Sequence, residues 1–522
     1  MTIKSFLDNL WRFFRQVWRN SVLYRFTLMG GVTPKHLTVM PTDPWPGDLY
    51  AGKLLLEGKF MISNQVIPMT ELWMPKELGF HALADLHGFT WLRDLRVQGD
   101  NSARRLARQL IANWIDRNQD WRLYPWQVGI TGHRVANWIG LYDFFCSSAD
   151  DSFRGLFFRE IARQVRHLTY SWMDAPTSLD RLFALKGIIY SAATFPGENN
   201  QLTALLLHLE KEIQSQILSD GGHESRCPQT HLVVLRDLID IRAMLRLTHH
   251  EIPSFLQESI SKMAPIVRLF RHGDGELAFL GKGQHIPSPV IDMVLSLADV
   301  RGRPPERALV LGFERCVNKN SLVLLNVGGR AENAQSVAQS MDLEEGTGSL
   351  NFEWSVGRNR LVIQGDLLLQ TLEGVHFQVP SRLDPASMQL HRAYQEGHAF
   401  LDAAFSDALS FSHRRQLYLT GDKPSLRGED IIQAPCEAIY GIRFVLDSEI
   451  EATFISGKRG VMVRLPANGK PTKGQEGQQW RLIASGVEEI LCEHYATSQA
   501  ILLLGRTKPG QLSSVQWAFC QD

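Results

Sequence analysis

Cysteine is scarce in this chain: six thiols in 522 residues, at positions 146, 227, 316, 436, 492 and 520. No two form a Cys-x-x-Cys pair, which argues against a zinc knuckle and a dense disulfide framework. Such scattered thiols read as small buried hydrophobes. Net charge is missing as well, since Lys+Arg and Asp+Glu both number 55 and the formal balance is +0. A phosphate-binding surface draws on a basic excess, so nucleic acid is not the expected partner. No apolar run reaches the roughly 18 residues that a membrane-spanning helix requires. A secretory leader is not evident either. Lys4, Arg12, Arg15, Arg19 and Arg25 are spread through the N-terminal segment instead of preceding an apolar block.

What the chain does have is apolar mass, 44% of its residues, and a length that suits two or three domains. Residues 1–40 stand apart as an amphipathic N-terminal segment. Leu7, Leu10, Trp11, Phe14 and Trp18 recur at helical spacing among the arginines. Residues 1–26 can therefore lie on an anionic membrane as a peripheral contact, or pack on the body of the protein or on a partner. An irregular stretch follows from Pro34 to Pro46, Trp45-Pro-Gly-Asp48 reads as a turn, and residues 49–65 alternate loosely as in a short hairpin.

From about Phe80 to Leu247 the period is helical. Leu106, Leu110, Ile111 and Trp114 form one stripe; Val135, Trp138, Ile139 and Tyr142 a second; Phe157, Ile161, Val165 and Leu168 a third. Breaks at Tyr124-Pro125, Asp174-Ala-Pro176 and Phe195-Pro-Gly197 divide them into successive helical hairpins. Past Pro304-Pro305 the character changes. Leu350, Phe352, Trp354 and Val356 alternate with Asn351, Glu353 and Ser355, a period-two pattern expected of a half-buried strand. Gly357-Arg-Asn359 turns it into Leu361-Val-Ile363. Further strands are expected at 413–419, 438–446, 451–456, 460–465, 480–484, 498–504 and 514–519, which together suggest an antiparallel sandwich. Residues 467–478 read as a polar loop.

The most distinctive stretch is Asp220-Gly-Gly-His-Glu-Ser-Arg-Cys-Pro-Gln-Thr-His231, between the stripe Leu202, Leu205, Leu206, Leu209, Ile213, Ile217 and another apolar run. Paired glycines end a helix without a Cβ penalty. Two histidines, an arginine, a glutamate and a serine then crowd into the loop. That composition suits an anionic or hydroxyl-rich ligand, or else helix caps and local ion pairs.

Asp-Gly-Gly-His-x-Ser-Arg-x-Pro in this setting resembles the signature of the heparinase II/III-like polysaccharide lyase family, bacterial branch. Leu86-His-Gly-Phe-Thr-Trp-Leu-Arg-Asp-Leu95, Phe270-Arg-His-Gly-Asp-Gly-Glu-Leu-Ala-Phe279, His413-Arg-Arg-Gln-Leu-Tyr-Leu419 and Leu426-Arg-Gly-Glu-Asp430 resemble further family segments in the expected order. The resemblance implies an α+β multidomain protein: an incomplete (α/α) toroid over 41–285, then an antiparallel β-sandwich over 286–522. It also implies β-elimination on a uronate-containing acidic polysaccharide, with no metal or other cofactor expected.

Such an elimination needs neutralisation of the uronate carboxylate, a base at the α-proton and an acid for the leaving oxygen. His223, His231 and His272 are the candidate acid/base residues. Arg226 can hold a carboxylate bidentately, Asp274 lies beside His272 in sequence, and Trp91 and Trp126 can stack on sugar faces. Each also has an ordinary structural reading, tryptophan above all as core.

Departures from the family pattern are specific. Thr230 stands where members carry a tyrosine before the histidine matched by His231, and Ser225 where they carry a glutamate. Gly346-Thr-Gly-Ser-Leu-Asn-Phe-Glu353 lacks the histidine that begins the corresponding strand, and an Ala-His-Asn-Thr-like segment has no counterpart in 370–400. A threonine hydroxyl is too weak an acid to replace a phenol near neutral pH. Two classes therefore stand: a lyase with an altered proton-transfer set, or a catalytically inactive descendant that binds a glycan or a protein. A helical-ring glycoside hydrolase is a third, requiring two flanking carboxylates. The missing leader favours the cytoplasm or the inner membrane face, and an acidic-glycan substrate the periplasm.

Overall fold

The computed structural model describes the chain apart from residues 1–16, 20, 63–64, 74–77, 198–200, 281–284, 329–349, 372–375, 378–387, 396, 407–410, 421–422, 456–459, 466–477, 496–497 and 522. Leu7, Leu10, Trp11, Phe14, residues 346–349, and nearly all of the polar loop at 467–478 thus lie outside the described residues. Two compact units are present. Met1–Gln216 with Arg236–Ser259 makes the first, and Ile217–Leu235 with Ile260–Asp522 the second.

The first unit is helical, and its elements follow the apolar stripes. Asn101–Arg117, Val128–Gly140, Asp151–Ser171, Ser178–Thr194 and Leu202–Gln216 are helices, and the Pro-containing breaks fall between the first and second, the third and fourth, and the fourth and fifth of them. Several begin on a side-chain cap: Asp100 accepts from the Ala103 N–H at 2.8 Å, Asp150 from Phe153 at 2.8 Å and Thr177 from Asp180 at 3.0 Å. Residues 49–65 depart from the expected hairpin. Leu49–Leu56 is a helix, because Asp48 caps it through the N–H groups of Tyr50 and Ala51 at 2.7 and 2.9 Å. The hairpin starts later, with Lys59–Ile62 paired to Gln65–Pro68.

Val128–Gly140 and Ser178–Thr194 approach so closely that glycine is required at the crossing. A Cβ on Gly132 would lie 2.3 Å from the Phe183 carbonyl oxygen, and one on Gly187 would lie 2.7 Å from that of Gly132. Next to this crossing sits a buried ionic network. Lys186 Nζ donates to Asp237 and Asp240, each at 2.6 Å, and Trp45 Nε1 donates to Asp240 at 2.8 Å. Arg93 pairs with Asp43 at 2.6 Å and donates to Asn137 at 2.8 Å.

The second unit contains two antiparallel sheets that share one core. The strands of one, in spatial order, are Glu451–Phe454, Val461–Arg464, Gln479–Ser485, Leu512–Gln521, Leu426–Gln433, Ser412–Leu419, His398–Ser406 and Met388–Gln395. The other runs from Glu489–His494 through Gln499–Thr507, Ala438–Leu446, Asn359–Thr371, Phe352–Val356, Ser321–Asn326 and Phe313–Asn318 to Arg307–Ala308. Between them Phe352 stacks on Trp517 at 5.7 Å, and Trp354 meets Phe519 at 5.5 Å. The turn at Gly357 forms as expected, with Val356 opposite Asn359. The half-buried reading of Phe352–Val356 is corrected, however. All five residues are buried, Glu353 and Ser355 included, because the segment around His272 covers that face of the strand.

A methyl group added at the helix crossing has nowhere to go. Gly132→Ala should therefore lower unfolding stability by about 1–3 kcal/mol, read as a shift of the urea midpoint, whereas Gly99→Ala should act only through its positive φ, since open space surrounds Gly99.

Candidate functional site

The signature stretch forms a tight loop in the second unit, ahead of the helix Pro228–Leu247. Asp220 Oδ2 accepts from the backbone N–H groups of Val310 and Leu311 at 2.9 and 2.8 Å. Gly221 has φ +88°, and a Cβ there would fall 2.2 Å from the Lys262 carbonyl oxygen. Gly222 faces Leu311, whose side chain leaves no room for a Cβ. The two glycines are thus fixed by close approach rather than by helix termination alone. Arg226, at φ 58°, donates Nε to the Leu311 carbonyl at 2.8 Å and Nη2 to Asn326 Oδ1 and, at 3.4 Å, the Gly312 carbonyl. Its guanidinium also lies 5.1 Å from the centre of the Phe313 ring.

His223 and His231 lie close enough to interact electrostatically, and both are buried. The Ser225 N–H donates to His223 Nδ1 at 3.1 Å, and the Ser225 hydroxyl is 2.8 Å from the same nitrogen. His231 Nε2 donates to the Met263 carbonyl at 2.9 Å, which leaves Nδ1 buried without a hydrogen-bond partner. Burial, reinforced by its neighbour His231, pushes the His223 pKa down to about 3. Burial pulls His231 down to about 4 despite its bond to Met263. Both imidazoles are neutral at physiological pH. Thr230 occupies the first turn of the following helix, beside His231.

His272 belongs to a different cluster in the same unit. Its Nδ1 lies 2.8 Å from Ser355 Oγ, and its Nε2 lies 3.1 Å from Glu353 Oε2. Burial, with Arg360 next in importance, pushes its pKa well below the usual imidazole range. The Glu353 carboxyl is raised to about 8 by burial, and the nearby Arg360 only partly offsets this. The pair is therefore held uncharged overall. Asp274 does not face His272 alone: Arg360 Nε donates to it at 2.7 Å. Neither Glu353 nor Arg360 was marked as a site residue by spacing. Glu353 read as the solvent side of a strand, and the pairing of Arg360 spans 86 residues of sequence.

Trp91 and Trp126, in the helical unit, are 5% and 1% exposed. Their indole N–H groups donate to the carbonyls of Leu86 and Asn118 at 3.0 and 3.1 Å. Trp91 packs 5.0 Å from Phe89, and Trp126 lies under the Arg163 guanidinium. Neither ring offers a face to a sugar. A groove of about 490 Å³ opens on the eight-stranded sheet among Phe400, Tyr418, Arg427, Glu429 and Gln516, and another of about 450 Å³ borders Trp73, Arg117 and Arg122. None of the seven candidate residues lines either groove. Among the described residues no three His, Cys, Asp or Glu side chains converge to hold a metal ion.

Two family models match the chain: Heparinase II/III N-terminus over residues 87–284 and Heparinase II/III-like, C-terminal over residues 372–509. The chain belongs to the heparinase II/III-like family. A solved structure of heparinase III aligns with TM-score 0.68 and 12% identity, covering 95% of this chain and 88% of that one. The expected fold, an incomplete (α/α) toroid followed by an antiparallel β-sandwich, is therefore the fold of this family member. FtsZ-localized protein C of Caulobacter vibrioides is 24% identical over 475 residues, 83% of this chain and 82% of that protein. Heparin-sulfate lyase of Bacteroides thetaiotaomicron is 22% identical over 217 residues, 38% of this chain and 30% of that enzyme.

The buried imidazoles make stability depend on pH. The unfolded chain takes up protons near pH 6.5, but folded His223 and His231 resist until about pH 3 and 4. Stability is therefore fully present above pH 6.5 and falls as pH drops, by about 1.4 kcal/mol per pH unit for each histidine. Urea midpoints at pH 7 and 5 should show the loss, and His231→Gln should shrink the difference between them. Arg226→Ala strands the Leu311 carbonyl, while the Gly312 carbonyl and Asn326 Oδ1 keep the N–H groups of Val327 and Gly328, and should cost about 1–3 kcal/mol at pH 7 by the same measurement.

Proposed function

We propose that this protein is a catalytically inactive descendant of the heparinase II/III-like lyases that works by binding, with a division-associated protein as its partner. The observation that carries this reading is the internal use of the whole candidate set. Arg226 is spent on backbone carbonyls and Asn326, Asp274 on Arg360, and the three imidazoles are buried and neutral. A base with a pKa of about 3 or 4 has little affinity for the weakly acidic α-proton of a uronate at neutral pH. Thr230 supplies no phenol to protonate a leaving oxygen. The likeness to FtsZ-localized protein C runs over most of both chains, whereas the likeness to heparin-sulfate lyase covers 38% of this one. Binding to FtsZ, or to a protein assembled with it, is the interaction this favours.

One observation favours a second reading, an active lyase on a uronate-containing acidic polysaccharide. His231 Nδ1 is an unpartnered acceptor next to His223, and a local opening would expose a pair of ring nitrogens to a substrate.

One pair of experiments separates these readings. With a panel of uronate polysaccharides, the unsaturated product of elimination absorbs in the ultraviolet. The expected result is no absorbance above that of a His223→Ala/His231→Ala double variant. Polymerised FtsZ should meanwhile carry the wild-type protein into the pellet. Product that forms with wild type and disappears in the double variant would overturn the inactive reading.

A further inference from the structure

We infer that the outer face of the eight-stranded sheet holds a binding site for a neutral oligosaccharide. Register across neighbouring strands builds the site. Phe400 lies opposite Tyr418, Tyr418 opposite Arg427, Arg427 opposite Ala518 and Ala518 opposite Ile483. Two residues along the strands, Gln416, Glu429, Gln516 and Ser485 line up in the same way as a second row. Side chains alternate between the faces of a strand, so both rows stand on one side, while Leu417 and Trp517 between them are buried in the core. The water-facing side of an antiparallel sheet is ordinarily polar. Here Ile483 is 46% exposed, and Phe400 and Tyr418 in the same row are half-buried. The short side chains of Ala518 and Ser485 sit among longer ones, and a depression of about 490 Å³ results, a size ordinary for a small-molecule site.

The lining selects the occupant. Phe400, Tyr418 and Ile483 offer apolar surface to the C–H faces of sugar rings. His398 stacks on the Tyr418 ring at 5.4 Å, which fixes the orientation of that ring. The polar row presents partners for hydroxyls. Gln416 Nε2 donates to Asp402 at 3.2 Å, and Glu429 Oε1 accepts from Ser514 at 2.7 Å and from Gln516 at 3.4 Å. Among the described residues no hydrogen bond engages Glu429 Oε2 or the Arg427 guanidinium. Charge decides the class of ligand. Among the described residues the charged groups lining the depression are Arg427 and Glu429, one of each sign and two positions apart on one strand. Their fields oppose each other, so a polyanion gains little here. Neutral hydroxyls, in contrast, donate to the carboxylate and accept from the guanidinium. A second copy of the chain fits less well, because a two-fold axis would set the depression against itself and leave it unfilled. None of the acid/base candidates lines this surface, so binding here requires no catalysis.

The test uses the full chain and calorimetric titration with cellohexaose, maltoheptaose, chitohexaose and mannohexaose, and with oligogalacturonate as the acidic comparison. The expected result is saturable binding of at least one neutral oligosaccharide, about tenfold or more tighter than the acidic one and indifferent to salt. Ala518→Tyr, which fills the depression from its floor, should weaken that binding about tenfold or more with an unchanged melting curve. Glu429→Ala/Gln516→Ala, which removes the hydroxyl partners, should do the same. Ile483→Ala, at an exposed position, is the milder variant and should show a partial loss. The proposal fails if the wild-type protein binds none of the neutral sugars, if it binds the acidic one as tightly, or if the folded variants bind as it does. It also fails if the wild type is a dimer that Ala518→Tyr converts to a monomer without any sugar binding.

Discussion

Asp220 and Arg226 hold opposite kinds of backbone group on the same short strand-entry loop. The carboxylate receives the N–H groups of residues 310 and 311, and the guanidinium gives hydrogen bonds to the carbonyls of 311 and 312. A segment with its donors and acceptors both claimed this way has little freedom to shift. It leads directly into Phe313–Asn318, which pairs with Ser321–Asn326 near one edge of the nine-stranded sheet. Asn326 closes the ring by accepting from Arg226. Four signature residues thereby act as one joint, and the two glycines exist because neighbouring carbonyl and leucine atoms leave no volume for a Cβ. The most family-specific sequence in the chain is, in this member, a piece of construction.

The same unit shows how desolvation sets protonation. Three histidines and a glutamate are all held uncharged because burial penalises the charged form of each. The helical unit solves the burial of charge differently. Lys186 with Asp237 and Asp240, and Arg93 with Asp43, keep their charges through short pairs reinforced by Asn137 and Trp45. Pairs of this kind hold geometry more than they add stability, since the desolvation of each ion offsets much of the attraction. Their positions beside the Gly132–Gly187 crossing fit that role.

Much of the helical unit was legible in its spacing. The stripes around Trp114, Trp138 and Phe157 lie on helices, and these three residues are fully buried. The sandwich was legible in outline, because alternation survives along strands such as Ser412–Leu419. Met388–Gln395, His398–Ser406 and Glu489–His494 went unmarked as strands. Their apolar positions are diluted by Gln, Arg, Glu and Ala on a face open to water, and that weakens a period-two signal. Residues 49–56 went the other way, since the Asp48 cap outweighed a loose alternation.

The site was less legible than the fold. Sequence order alone marks Asp220–His231 and Phe270–Phe279 as distinctive and fixes the substitutions at Ser225 and Thr230, because identity and spacing are properties of the chain itself. Protonation state, exposure and the choice of partner are not. They depend on how many atoms displace water around a side chain, and those atoms come from residues far away in sequence: Met263 for His231, Glu353 and Ser355 for His272, Arg360 for Asp274. The chain by itself determined the family, the order of helices before strands and which residues could do chemistry. Tertiary packing decided which of them meet one another instead of a ligand, since only the folded chain sets the distances and the dielectric on which charge depends.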